Sequence, residues 1–271
     1  MTRMFPAIAL PLLLLLLSCT HALKVDVCVV TFGLSRSARH THISVDAMLL
    51  QPLRRAQMSY VVYMHTWLSE ATRYTNHVNG ELEVPLDRFD FLRFPANIVH
   101  AEPEDVNADR SAYLVHGDPW AAYGSQANRS LLNCVSMLES SERATHLWRN
   151  RDCGAVIYTR PDITFINSLN VSWLHYLRTD SGRNAILMPN HARWPVNDRF
   201  AIGRGHVMRA YGTRFRHAGT YASVRPLGSE EFLDFFIKQH DWDVKTIRMD
   251  FHRTRVDGRL EPESFSELAD L

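Results

Sequence analysis

Thr159-Arg160-Pro161-Asp162 sets a guanidinium and a carboxylate two residues apart, directly after the apolar run Ala155-Val156-Ile157-Tyr158. That run is β-branched and aromatic, the composition of a buried strand. Pro161 has no N–H to give to a ladder, so the strand stops or reaches an edge there. An acid and a base therefore arrive together at the carboxyl end of a core strand, where open α/β sheets bind ligands. A guanidinium suits bidentate contact with phosphate. A carboxylate offers a hard oxygen ligand to a divalent cation. The plainer alternatives are that Asp162 is a turn residue after proline and that Arg160 pairs with a nearby acid.

Other groups could join this corner. Gly33-Leu34-Ser35-Arg36-Ser37 is a small, basic loop. Asn197-Asp198-Arg199-Phe200 puts polar residues at the entry to an apolar run. Glu230 and Glu231 open a helix, where acids also serve simply to oppose the dipole. His252 is a lone histidine in the tail, followed by Arg253 and Arg255 on one face of an extended segment. Trp194, near His191, could stack on a sugar ring or pack its own loop. His40-Thr41-His42 has no further ligands at a zinc-binding spacing. No His-Glu-x-x-His, Gly-x-Ser-x-Gly or phosphate-loop motif occurs.

The elements that must position these groups follow from the pattern. Lys24 to Phe32 and Ser59 to His65 read as strands, with a helix between them carrying Ile43, Ala47 and Leu50 on one face. Residues 69–93 are polar and hold Asn79-Gly80 and Pro85, so they read as a loop. Asn97 to His100 reads as a short strand. Ser125 caps a helix running to about Trp148, with Leu131, Cys134, Val135 and Leu138 facing inward. Helix 169–177, strand 185–188, strand 196–203, helix 205–211, a helix from Glu230 capped by Ser229, and strand 243–249 complete the series. Strands alternating with helices predict an α/β protein, one domain with a mostly parallel sheet flanked by helices.

The chain has 271 residues, 46% hydrophobic and 22% charged, with a net charge of +1. That balance argues against a nucleic-acid partner, which needs a clustered basic surface. Arg3, the apolar run Ala7 to Leu17 and small residues around Ala22 read as a signal peptide over 1–22. The run falls short of the ~20 residues that span a bilayer, and a short uncleaved anchor is the alternative. The body is expected over 23–258 and a polar tail over 259–271. Asn128-Arg129-Ser130 and Asn170-Val171-Ser172 are glycosylation sequons. Together these features predict a glycoprotein of the secretory pathway, in the ER or Golgi lumen or secreted. Cys28, Cys134 and Cys153 remain after cleavage. Cys134 lies about 21 Å along its helix from the end nearest Cys153, beyond the ~7 Å a disulfide allows, and Cys28 reads as core. No structural disulfide is expected.

The order of elements resembles the GT-A type of glycosyltransferase, in which a Rossmann-like half binds a nucleotide sugar and an Asp-x-Asp motif ends a central strand. Arg160-Pro161-Asp162 matches that motif with only its last acid kept. The sequence also resembles a set of eukaryotic glycosyltransferase-like proteins with arginine-proline-aspartate here, an Asn-Asp strand matched by Asn197-Asp198-Arg199-Phe200, and a late acid-opened helix matched by Glu230 and Glu231. The resemblance implies a GT-A-like α/β domain moving a hexosyl or N-acetylhexosaminyl group from a nucleoside diphosphate to a glycan or glycoprotein hydroxyl. It places Gly33, Arg36, Arg160 and Asp162 at the nucleotide, with Mn²⁺ or Mg²⁺ on Asp162 and His252. It makes Asp198 and Glu231 the groups that orient or deprotonate the acceptor. Two other functions stay open: a glycoside hydrolase using Asp162 and Asp198, and a non-catalytic carbohydrate-binding relative.

Overall fold

The apolar run that follows Lys24 becomes strand β1, Val25–Phe32, in the interior of the main sheet. The structure is a computed structural model that describes residues 25–76, 80–105 and 107–261. The expected signal segment and most of the polar tail lie outside the described residues. Among the described residues no helix is long and apolar enough to cross a membrane.

The chain then forms α1 (Ala38–Ser44), a π-helical segment (Val45–Leu50), α2 (Gln51–Arg55), β2 (Tyr60–Leu68), the hairpin β3 (Arg73–Asn76) and β4 (Glu81–Pro85), and β5 (Ile98–Pro103). Helix α3 (Arg129–Trp148), β6 (Cys153–Thr159), β7 (Ile163–Phe165), α4 (Ser172–Arg178), β8 (Ala185–Pro189) and β9 (Phe200–Gly203) follow. Helices α5 (Gly205–Gly212), α6 (Phe215–Ala222) and α7 (Ser229–Gln239) precede β10 (Asp243–Ile247), β11 (Phe251–Thr254) and β12 (Leu260–Glu261).

Seven strands make the main sheet in the order β10-β8-β9-β6-β1-β2-β5. Strands β6, β1, β2 and β5 are mutually parallel, as are β8 and β10, while β9 runs antiparallel to both neighbours. Side chains alternate across the sheet. Val27 and Val29 of β1 enter one core layer with Leu49, Leu53 and Trp173. Cys28, Val30 and Phe32 enter the other with Trp148, Met208 and Leu233. Burial on both faces is what a near-continuous apolar strand demands. A smaller antiparallel sheet, β12-β11-β7, sits beyond the end of β6.

Several local readings are corrected. Cys28 and Cys153 form a disulfide. The two residues lie on neighbouring strands whose register sets Val25 opposite Cys153 and Cys28 opposite Val156. Spacing along the chain could not reveal that pairing of strands, and among the described residues only Cys134 stays free. Ile43 is 68% exposed: α1 buries Ala38 and Thr41 instead, and the π-helical segment after it buries Val45 and Leu49 beside the expected Leu50. Residues 69–93 contain the hairpin β3–β4 rather than loop alone. Helix α3 starts at Arg129, yet Ser125 still accepts the Ser130 N–H at 3.1 Å. Gly228, not Ser229, is the N-cap of α7. The extended segment that carries His252 and Arg253 is strand β11, with Arg255 just after its end.

Candidate active site

A cavity of about 810 Å³ opens at the carboxyl ends of β1, β2 and β6. Phe32 and Gly33 close β1 into it, Trp67 comes from β2, and Arg160 to Asp162 follow β6. Because β9 runs the other way, its entry delivers Asp198 and Arg199 to the same edge. The N-terminus of α7 adds Gly228 to Glu231, and β11 adds Arg253 and Arg255.

Asp162 lies at the floor, 3% exposed. Arg160 grips it with two parallel bonds, Nε to Oδ1 at 2.9 Å and Nη2 to Oδ2 at 2.6 Å. Arg36 donates from Nη2 to Oδ2 at 3.3 Å. Thr254 N–H donates to the Asp162 carbonyl at 2.7 Å, tying β11 to this corner. Burial pushes the Asp162 carboxyl upward, but the Arg160 and Arg36 guanidiniums outweigh it and hold the group well below the usual carboxylate range.

Arg36 also donates to the Tyr74 hydroxyl and lies over that ring, 4.5 Å from its centre. Arg255 is 3% exposed and pairs with Glu261 and, at 3.8 Å, with Glu81. Burial, reinforced by Arg253, pushes its guanidinium down to about 10. Arg253 is 3.1 Å from Glu261. Arg36, Arg160, Arg253 and Arg255 thus gather against Asp162, Glu81 and Glu261.

A second cluster faces the first. Asp198 is buried, 3.8 Å from Arg199 Nη1. Burial opposes its ionisation, yet Arg199 and Arg160 keep its carboxyl below the ordinary value. Glu230 is 3.6 Å from Arg199 Nη2 and accepts the Ser229 hydroxyl at 2.6 Å. Burial and the Asp198 charge push the Glu230 carboxyl up to about 7. Two acids with environments that drive them apart are the usual signature of a proton-transfer pair.

The expected site residues divide accordingly. Gly33, Arg36, Arg160, Asp162, Asp198 and Glu231 all line the cavity. Gly33 adopts φ +107° and its N–H is donated to Ser140 Oγ at 2.8 Å, so it shapes the loop rather than offering an amide. Glu231 folds back over its own helix start, where a Cβ on Gly228 would collide with its carboxylate. His252 pairs with Thr164 across β11 and β7 and does not line the cavity, whereas Arg253 and Arg255 beside it do. Trp194 stands 72% exposed at the cavity edge, while His191 is buried against Phe251. Arg199, Glu230 and Tyr74 form more of the site than the sequence suggested. Adjacency to Asp198 was the one local signal for Arg199, and the burial of Glu230 and the fold-back of the hairpin bearing Tyr74 depend on tertiary contacts.

A divalent cation on Asp162, as the resemblance implies, does not fit this arrangement. Both carboxylate oxygens are engaged by guanidinium N–H groups, and cations repel one another. Asp162, Asp198 and Glu230 do not converge within metal-ligand reach; among the described residues the three-ligand grouping is elsewhere.

The sequence matches no protein-family model and no curated protein. The structure is similar to core-mannan synthase A from Aspergillus fumigatus, solved in a Mn/GDP form, with a TM-score of 0.50 and 8% identity over 86% of this chain and 76% of that one. At that identity the likeness speaks for architecture alone, and the architecture is the GT-A-type, Rossmann-like glycosyltransferase fold expected from the order of elements.

Proposed function

We propose that the protein is a glycosyltransferase of the secretory pathway that moves a sugar from a nucleoside diphosphate to an acceptor hydroxyl. The observation that carries this is the gathering of Arg36, Arg160, Arg253 and Arg255 around Asp162 at the carboxyl ends of the parallel strands. A diphosphate leaving group concentrates negative charge, and preorganised guanidiniums stabilise it as it departs. The Mn/GDP form of the structural neighbour supports a nucleotide in this cavity. The Cys28–Cys153 disulfide supports an oxidising compartment.

In this reading Asp162 positions Arg160 and Arg36 rather than reacting. The bond from the anomeric carbon to the diphosphate oxygen breaks, and a bond from that carbon to the acceptor oxygen forms. The electron pair leaves with the diphosphate, and the acceptor's proton passes to Glu230. With a carboxyl near 7, Glu230 is available as a base at neutral pH. Asp198 keeps Glu230 poised through its charge, and Trp194 offers a ring face to a sugar. A hydrolase using Asp162 as acid is disfavoured, because a carboxyl held so far below its usual range carries no proton to donate.

Calorimetry with UDP- and GDP-sugars, each with and without Mn²⁺, tests this. Saturable heat from one nucleotide class is expected, with most of the affinity kept under chelator. Asp162→Asn, which removes the negative charge that Arg160 and Arg36 share, should weaken binding at least about tenfold and lower stability by about 3–5 kcal/mol. Heat from free glycans with silence from every nucleotide sugar would replace the transferase by a carbohydrate-binding protein.

A further inference from the structure

Strands β2 and β5 are in parallel register, which sets His65 directly opposite His100. Glu102 is two residues beyond His100, so it shares the same face of β5. The result is a second cluster outside the cavity. His65 Nε2 is 3.1 Å from Glu102 Oε1, and His100 Nε2 is 3.7 Å from Glu102 Oε2. One ligand atom from each residue lies within 4.8 Å of the other two. We propose that His65, His100 and Glu102 form a site for a zinc-class divalent metal, separate from the nucleotide cavity.

The geometry and the chemistry agree. Four-coordinate zinc holds nitrogen at about 2.0–2.1 Å and oxygen at about 2.0–2.2 Å, which puts neighbouring tetrahedral ligands roughly 3.3–3.5 Å apart. The His65–Glu102 separation of 3.1 Å lies near that span, and His100 stands 3.7 Å from the other oxygen of the same carboxylate. The remaining gap, between the two rings, closes by movement of His100, whose side chain is half exposed. His65 is fully buried, and its Nδ1 is 2.7 Å from Ser140 Oγ, leaving Nε2 as the metal-facing nitrogen. A hydrogen bond to the far ring nitrogen is what orients and fixes the tautomer of metal-binding histidines. Two imidazoles and one carboxylate make a set that zinc accepts, with a fourth position left for water.

One group competes. Arg143 Nη1 is 2.8 Å from Glu102 Oε1. Its side chain is partly exposed and lies over Trp67, 5.4 Å from the ring centre, so it can release the carboxylate to an incoming cation. The site is joined to the cavity wall. Ser140 Oγ, the partner of His65, also accepts the Gly33 N–H, and Trp67 packs edge-on against His65 at 4.7 Å. Metal here would tie β2 to β5 without touching a ligand in the cavity.

The test is Co²⁺ and Zn²⁺ titration of the chelator-treated full chain, followed by visible absorption and by thermal unfolding. One Co²⁺ per chain with the intense absorption of a four-coordinate ion is expected, displaced by Zn²⁺, with a higher melting temperature in Zn²⁺. His100→Ala and Glu102→Gln, both at partly exposed positions, should each weaken binding more than about tenfold while the metal-free proteins remain folded. Ser140→Ala should weaken it about 10–100-fold, and Arg143→Ala should tighten it. No saturable binding, or binding that survives His100→Ala, overturns the proposal. Binding lost in Asp162→Asn but kept in His100→Ala would place the metal in the cavity and overturn it equally. None of these outcomes depends on whether the chain transfers sugar.

Discussion

Glu230 and Asp162 respond to burial in opposite ways because their neighbours differ. Asp162 is enclosed by guanidiniums, so its folded form holds a proton less tightly than the unfolded chain does. Its stabilising contribution is present above the unfolded value near about 4 and is lost as pH falls below it. Glu230 has Asp198 as well as Arg199 beside it, and its carboxyl rises to about 7. A raised folded value stabilises the protein below the unfolded value near about 4.3, and that stabilisation is lost as pH rises through about 7. Glu230→Gln should therefore gain stability relative to the parent at pH 8, on the order of 1–3 kcal/mol, and gain little at pH 5. Urea unfolding at the two pH values measures this. The same variant should cut transfer about 10²–10⁴-fold with nucleotide affinity nearly unchanged. Arg160 and Asp162 were legible as a pair because they are two residues apart. Arg36 enters from 126 residues away, and no local pattern specifies which distant guanidinium completes the clamp.

Helix α3 shows how an element carries polar as well as apolar information. Its apolar spacing predicted the buried face that contains Leu131, Val135 and Leu138. It also buries Ser140, Ser141 and Thr145, residues that resemble a solvated stripe in the sequence. Thr145 Oγ1 lies 2.6 Å from the Tyr158 hydroxyl, which also accepts the Trp148 Nε1–H at 3.0 Å. Gly212, at the end of α5, packs against this cluster so closely that a Cβ there would collide with Thr145 Oγ1 and with the Tyr158 ring and hydroxyl. Both partners are buried and held in place. Gly212→Ala should thus lower stability by about 1–3 kcal/mol, read as a fall in melting temperature, whereas Gly219→Ala, with open space around it, should not. The π-helical segment between α1 and α2 escaped the sequence reading for a related reason. A single-residue change in hydrogen-bond step leaves the apolar count intact and only rotates which side chains face inward.

At the scale of the molecule, alternation of strands and helices was enough to predict a mostly parallel sheet. The reversal of β9 was not legible, since its four residues, Phe200–Gly203, are all buried and show no alternation. That reversal is what brings Asp198 and Arg199 to the carboxyl edge of the parallel strands. The pairing of β1 with β6 was equally hidden, and with it the disulfide. Cys28 and Cys153 are 125 residues apart, and closing so long a loop restricts the unfolded chain strongly. Cys28→Ser with Cys153→Ser should lower stability by roughly 2–5 kcal/mol, measured by denaturant unfolding against the parent under non-reducing conditions.

Strands β1 and β6 are thus fastened twice, covalently near their beginnings and by the Arg36–Asp162 contact just past their ends. The two fastenings answer to different reagents, one to thiols and the other to acid. Material purified from a bacterial cytoplasm, or stored with dithiothreitol, would keep its carboxylate clamp and yet have a slackened sheet beneath it. A donor screen run on such material could return a false negative, so preparations should be checked for free sulfhydryls before any substrate is struck off.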